Sequence, residues 1–236
     1  MQHRGLLIVI EGINGSGKTT IINKVLKLLP SSGKYIVYKF PDRTGLGGSK
    51  IDDFLKKKIE LGTYDKLKLF SDNRKACLYE MLDLLNKGVS IICDRYVYSA
   101  IVYQLNINNH QNWYINTIIN IVGGFDNNLI VPDIVFLING QFLHLREKAV
   151  TNPERYHHPD VSVKIEGSQG EDSISSRLFD KFRVVLTKCK ANYFVINNEY
   201  DELNDVANYI VCTIRLEDET KYFNALSPRP IRYFQF

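Results

Sequence analysis

Cysteine is scarce and scattered: Cys77, Cys93, Cys189 and Cys212 are the only four in 236 residues. None has a neighbour at the short spacing of zinc sites or redox dithiols, so neither is expected, and a reducing cytoplasm suits the chain. Long apolar runs are missing too. The opening MQHRGLLIVIEG carries an apolar stretch too short, and too soon followed by Gly12, for a signal-peptide core or a membrane span. No targeting or anchoring segment and no membrane association are expected. Nor does one sign of charge dominate. A net charge of +4 suits small anionic ligands and gives no basic stripe for nucleic acid. Repeats, low-complexity tracts and linker-like stretches are absent, so a single domain spanning 1–236 is expected.

With 44% hydrophobic and 24% charged residues, the chain has enough apolar material to bury a substantial interior. Short, nearly continuous apolar runs alternate with segments of helical period, the pattern of a parallel sheet covered on both faces. Five strands are expected, at Leu6–Glu11, Tyr35–Phe40, Val89–Asp94, Ile134–Ile138 and Tyr193–Ile196. The first helix starts at Lys18, lines up Ile21, Ile22, Val25, Leu26 and Leu29, and stops before Pro30. Further helices are expected over Tyr64–Lys87, closed by Gly88, and over Asn112–Val122, Ser173–Lys190 and Glu202–Leu216. The segment 141–172 mixes Arg146, Lys148, Arg155, His157 and His158 with Pro and Gly, and reads as a mobile basic lid. His144, His157 and His158 follow no zinc-binding spacing.

One loop carries chemistry. Gly12-Ile13-Asn14-Gly15-Ser16-Gly17-Lys18-Thr19 meets the Gly-x-x-x-x-Gly-Lys-[Ser/Thr] pattern, with a strand before it and a helix after. The glycines let backbone N–H groups and the helix N-terminus surround nucleotide phosphates; Lys18 adds a point charge and Thr19 a hydroxyl for Mg²⁺. Gly12 through Thr20 is therefore the candidate ATP cradle. The fold expected is an α/β P-loop NTPase three-layer sandwich: a five-stranded parallel sheet between helices, with a lid.

Such a loop does not choose among motors, switches and kinases. The guanine-reading Asn-Lys-x-Asp and the Leu-Ser-Gly-Gly of transport ATPases are both absent, and Asp42-Arg43-Thr44-Gly45 matches only the short Asp-x-x-Gly of switches. A small-molecule kinase is left in front. Phe40-Pro41-Asp42-Arg43, Leu69-Phe70-Ser71-Asp72-Asn73-Arg74 and Asp94-Arg95-Tyr96 follow the glycine loop in order. With them the chain resembles thymidylate kinases, well over about its first 105 residues, then through Pro132-Asp133 and Glu154-Arg155-Tyr156, and not over the C-terminal extension 217–236. Its wealth of Asn, Ile and Tyr fits an AT-rich genome such as that of a large DNA virus.

The resemblance implies transfer of the γ-phosphoryl of Mg-ATP to the 5′-phosphate of dTMP, in a homodimer. Because the acceptor is already anionic, alignment and charge neutralisation should do most of the catalysis. Lys18, Arg95 and Asp94 are then catalytic, with Thr19 and Asp94 at Mg²⁺ and Arg43 on the acceptor phosphate; surface ion pairing for the arginines and helix capping for Asp94 are the plain alternatives. Phe70 stacks on thymine and Arg74 reads a base oxygen, though periodicity alone suits Phe70 equally to the core. Phe40 and Tyr156 join the acceptor site. Tyr103 lies under the deoxyribose, disfavouring a 2′-hydroxyl, and Ser99 or Gln104 touches the base, unless these simply pack a helix. Where some family members have an arginine in the loop, this chain has Gly15, so Arg146, Lys148 or Arg155 of the lid is the expected replacement, against the plain alternative of a solvated basic loop. Asn14 replaces an acidic family residue, which implies a more tolerant sugar 3′ pocket. A deoxynucleoside kinase with Asp42 as base, or a non-catalytic ATP-driven switch, are the rival readings.

Overall fold

The computed structural model describes residues 4–30, 34–106, 109–140, 170–198, 203–223 and 230–235. Its five strands are β1 (Leu7–Gly12), β2 (Tyr35–Lys39), β3 (Ser90–Asp94), β4 (Ile134–Gly140) and β5 (Tyr193–Asn198). Every pairing is parallel, in the order β2-β3-β1-β4-β5. A largely apolar strand takes the centre, where both backbone edges and both faces leave water: all six residues of β1 are buried.

The eight described helices are α1 (Lys18–Leu28), α2 (Gly48–Leu55), α3 (Thr63–Lys75), α4 (Leu78–Asn86), α5 (Val97–Val102), α6 (Asn112–Asp126), α7 (Gly170–Lys188) and α8 (Leu203–Phe223). Strand alternation sorts the core into two layers. Leu6, Ile8 and Ile10 join Ile21, Ile22 and Val25 of α1 and Ile210 and Ile214 of α8. Leu7 and Val9 join Val97 and Ile101 of α5, Ile115 of α6, and Phe182 and Val185 of α7. Each such side chain, fully buried, contributes about 1.5–3 kcal/mol. At the far end of the sheet from the glycine loop, the buried Asp133 carboxylate accepts two bonds from Arg4, at 2.9 and 2.6 Å, and one from the Leu7 N–H at 2.8 Å. That clip joins the starts of β1 and β4.

All five expected strands are present, but the expected helix over Tyr64–Lys87 is two helices, α3 and α4, separated by a tight turn at Ala76 and Cys77. Its predicted glycine stop holds: Gly88 has φ 78°, and the Gly88 and Val89 N–H groups bond back to Leu85 and Leu84. Two helices were given no range from the sequence. α2 begins inside a glycine-rich stretch, where a Cβ on Gly48 would lie 2.3 Å from the Arg43 carbonyl oxygen. α5, with six residues, is too short to display a period.

The C-terminal residues dock on the chain itself. Ile130 and Tyr233 form an antiparallel bridge, the Phe234 N–H bonds to Leu129 O at 2.8 Å, and the Val131 N–H bonds to Arg232 O at 2.8 Å. Phe234 is buried in the core with its ring edge-on to Tyr98 of α5, centroids 6.0 Å apart. Emptying that position should leave a cavity, so Phe234→Ala is expected to lower the unfolding free energy by about 3 kcal/mol, read from urea titration monitored by circular dichroism.

Candidate active site

The glycine loop stands at the C-terminal end of the central strand, where the chain leaves toward α1. Gly12, Gly15 and Gly17 have φ of 143°, 77° and 89°, a region that side chains disfavour. Gly12 is also constrained from outside, because a Cβ there would sit 2.5 Å from the Ile138 carbonyl of β4. The same strand presses from its last residue: a Cβ on Gly140 would lie 2.5 Å from Ser16 Cα. Thus β4 walls one side of the cradle. Lys18, buried at the start of α1, donates from Nζ to Ile13 O at 2.6 Å and to Gly12 O at 3.1 Å. Burial, and secondarily the charge of Arg95, push its pKa well below the usual lysine value.

Asp94 and Arg95 leave the neighbouring strand β3. Thr19 Oγ1 donates to Asp94 Oδ2 at 3.2 Å, so the loop hydroxyl and the strand-end carboxylate meet as expected. Arg95 adopts φ 72°, a left-handed conformation that costs a non-glycine residue about 1–3 kcal/mol. Its N–H reaches Ile10 O at 3.0 Å. The side chain then turns back over the loop: Nη1 donates to Gly12 O at 2.8 Å and to Ser99 Oγ at 3.0 Å, Nη2 donates to Asn14 Oδ1 at 2.5 Å, and the guanidinium lies 5.5 Å from the Tyr103 ring centroid. Lys18 and Arg95 therefore converge on one carbonyl oxygen, that of Gly12.

On the acceptor side, Asn73 is a residue that sequence reasoning quoted but left without a role. Buried in α3, it accepts the Asp42 N–H at 2.8 Å and donates to Asp42 O at 2.8 Å and Leu46 O at 2.7 Å, pinning the loop after β2. Arg43, on that loop, is half exposed and pairs with Asp52 of α2 at 2.8 Å. Phe70 is half-buried and meets Phe54 edge-on, centroids 6.1 Å apart; it lies outside both core layers.

Among the described residues, the other expected site residues make their contacts within the protein. Phe40, expected in the acceptor site, is buried in the core against Tyr38 and Tyr96, because the last inward-facing position of an edge strand still belongs to the sheet. Arg74 has the polar partner its position demanded, and that partner is protein: Nη2 and Nε fork onto Asp126 of α6 at 2.6 and 3.3 Å, both side chains buried. Ser99 is occupied between Arg95 and Glu11. Tyr103 and Gln104 follow α5, Tyr103 edge-on to Phe182. Arg146, Lys148, Arg155, Tyr156 and the three lid histidines lie outside the described residues. Glu11 was missed as a site residue; its signal was a lone carboxylate closing the apolar run LLIVI directly before the loop. Asp126 gave no local signal, since its partner is 52 positions away.

A glycine cradle at the mouth of a central parallel strand, with a lysine opening the following helix, defines a P-loop nucleotide-binding protein. The family model for thymidylate kinase matches residues 10–164. A thymidylate kinase of Schizosaccharomyces pombe is 34% identical over 165 residues, covering 70% of this chain and 75% of its own. A putative thymidylate kinase of Invertebrate iridescent virus 6 is 31% identical over 170 residues, covering 70% and 74%. The chain belongs to the thymidylate kinase family. The solved structure of thymidylate kinase from Candida albicans superposes with a TM-score of 0.71 over 100% of both chains at 23% identity, which establishes the shared fold.

The Arg74–Asp126 pair yields a stability test. Asp126→Ala leaves a buried guanidinium without its counter-charge and is expected to cost about 3–5 kcal/mol in urea unfolding.

Proposed function

We propose that the chain transfers the γ-phosphoryl of ATP to the 5′-phosphate of dTMP, giving ADP and dTDP. Family membership supports the reaction, and the observation that carries the chemistry is the meeting of Lys18 and Arg95 at the Gly12 carbonyl. Two polyanions must be brought together, so the work of the protein is alignment and charge neutralisation. In this reading the loop from Gly12 to Thr20 holds the ATP phosphates, Lys18 lies along them, and Arg95 reaches the phosphoryl group between donor and acceptor. Arg43 exchanges its exposed partner Asp52 for the acceptor phosphate, Phe70 stacks on thymine, Arg74 reads the base from its anchored position, and Tyr103 lies under the sugar. The lid, with Arg146, Lys148, Arg155 and Tyr156, completes the site.

The Thr19 hydroxyl and Asp94 carboxylate form an oxygen donor pair of the kind Mg²⁺ takes, most of its shell being left to water and phosphate. Thr19 would ligate the ion and Asp94 would orient its waters, and the ion would supply positive charge against the phosphates. Asp42 argues against the deoxynucleoside kinase. Its Oδ1 accepts the Thr44 hydroxyl and N–H, both at 2.8 Å, and these bonds hold its carboxyl below the usual range, which makes it a poor base for a neutral hydroxyl. A single kinase domain, a homodimer and a cytoplasmic setting complete the proposal. Among the described residues no helix is long and apolar enough to cross a membrane.

ADP release with Mg-ATP against dTMP, dUMP, UMP, dCMP, dGMP and thymidine tests this reading. Turnover is expected with dTMP above all; turnover with thymidine alone would sink the proposal, and none with any acceptor would favour the switch. Asn14 gives a second test. An aspartate there would sit against the Arg95 guanidinium, so Asn14→Asp is expected to sharpen discrimination between native and 3′-modified dTMP by about tenfold in kcat/KM, the weight of one charge-assisted hydrogen bond. An unchanged ratio would remove Asn14 from sugar recognition.

A further inference from the structure

Glu11 is fully buried, on a strand otherwise made of apolar residues and glycine, and none of the steps above uses it. A carboxylate in that position is costly unless its oxygens are saturated with donors. Strand alternation turns it toward α5, on the same side as Leu7 and Val9. There Oε1 accepts the Tyr96 N–H at 2.9 Å and the Ser99 N–H at 3.1 Å, and Oε2 accepts the Ser99 hydroxyl at 2.6 Å. Burial pushes its pKa up, while the charge of Arg95 and these hydrogen bonds pull it back.

Ser99 has a single hydroxyl proton. With that proton given to Glu11, the oxygen lone pairs are left to receive Arg95 Nη1 at 3.0 Å. The other anchors of the guanidinium, Gly12 O, Asn14 Oδ1 and the Tyr103 side chain, are neutral. Among the described residues no carboxylate is in direct ion-pair contact with Arg95, and the Asp94 carboxylate is engaged by Thr19 instead. A direct carboxylate partner would fix the guanidinium but also quench it. A relay through a serine fixes it and leaves its charge available.

We propose that Glu11 is a positioning residue for phosphoryl transfer: acting through Ser99, it holds the Arg95 guanidinium against the glycine loop without neutralising it. This rests on the kinase reading above. Ser99→Ala removes the relay but keeps Glu11 and its two backbone donors, whereas Glu11→Gln reverses the relay. The glutamine amide must donate to Ser99, which takes a lone pair of the oxygen, strips the serine proton of its acceptor and removes the negative charge behind the relay.

Each variant is expected to lower kcat with dTMP about ten- to hundredfold, the usual effect of removing a partner that orients a functional group. The KM for ATP should stay within about threefold, since the loss falls on the transition state. The double variant should be no more than about threefold slower than the slower single, because both interrupt one path. Wild-type kcat in Ser99→Ala, or losses that multiply in the double, would overturn the proposal and reduce Glu11 to a cap on α5. A crystal structure of Ser99→Ala gives a readout independent of the acceptor: Arg95 should leave Gly12 O and Asn14 Oδ1, and an unmoved guanidinium refutes the relay. Failure of the kinase reading would appear separately, as wild-type protein without dTMP turnover. Should Glu11→Gln not fold, Ser99→Ala carries the test alone.

Discussion

Two cations share one backbone oxygen in this molecule, and much of the architecture exists to hold them there. Lys18 and Arg95 both donate to Gly12 O, and their mutual repulsion adds to the burial that lowers the lysine pKa. Such an arrangement is stable only if the backbone around it cannot yield. Gly12 is confined by β4 on one side, and Arg95 is tied to Ile10 of β1 in a conformation that side chains avoid. Placing the cradle on the central strand gives it two hydrogen-bonded neighbours, which is the mechanical reason that the site lies where the sheet topology reverses.

Around that point, the core layer under α3, α5 and α6 holds several buried polar groups. Asn73 fixes the loop after β2, Arg74 and Asp126 join α3 to α6, and Glu11 joins β1 to the start of α5. An apolar core would tolerate small slips between these short helices; a saturated buried polar group does not, because each slip strands a donor or an acceptor at a cost of about 1–3 kcal/mol. The site is thereby registered to the sheet by hydrogen bonds whose geometry is specific. Oil-like packing alone would leave α5 with six residues and little reason to hold one orientation.

Much of this was readable in advance, unevenly. The strand, glycine loop and lysine were legible because phosphate cradles depend on backbone conformation, and backbone conformation is written in glycine spacing. The meeting of Thr19 with Asp94 follows from the helix after the glycine loop starting beside the end of the neighbouring parallel strand. Phe40 packs in the core between Tyr38 and Tyr96, a placement that the sequence could not show because an aromatic beside a site motif reads the same as one in the core. Arg74 was read for its need of a polar partner, yet the sequence offered no way to see that Asp126 supplies one.

What the sequence determined by itself is therefore the local chemistry: which loop can surround phosphates, which residues carry charge, and which strand alternation buries them. Tertiary structure decided the pairings: that Arg95 folds back on Gly12 and Asn14, that Ser99 faces Glu11, and that Phe234 closes over Tyr98. The reason is range. Backbone propensity and periodicity act over a few residues, whereas these contacts span 81 to 136 positions and exist only once the sheet has ordered its strands.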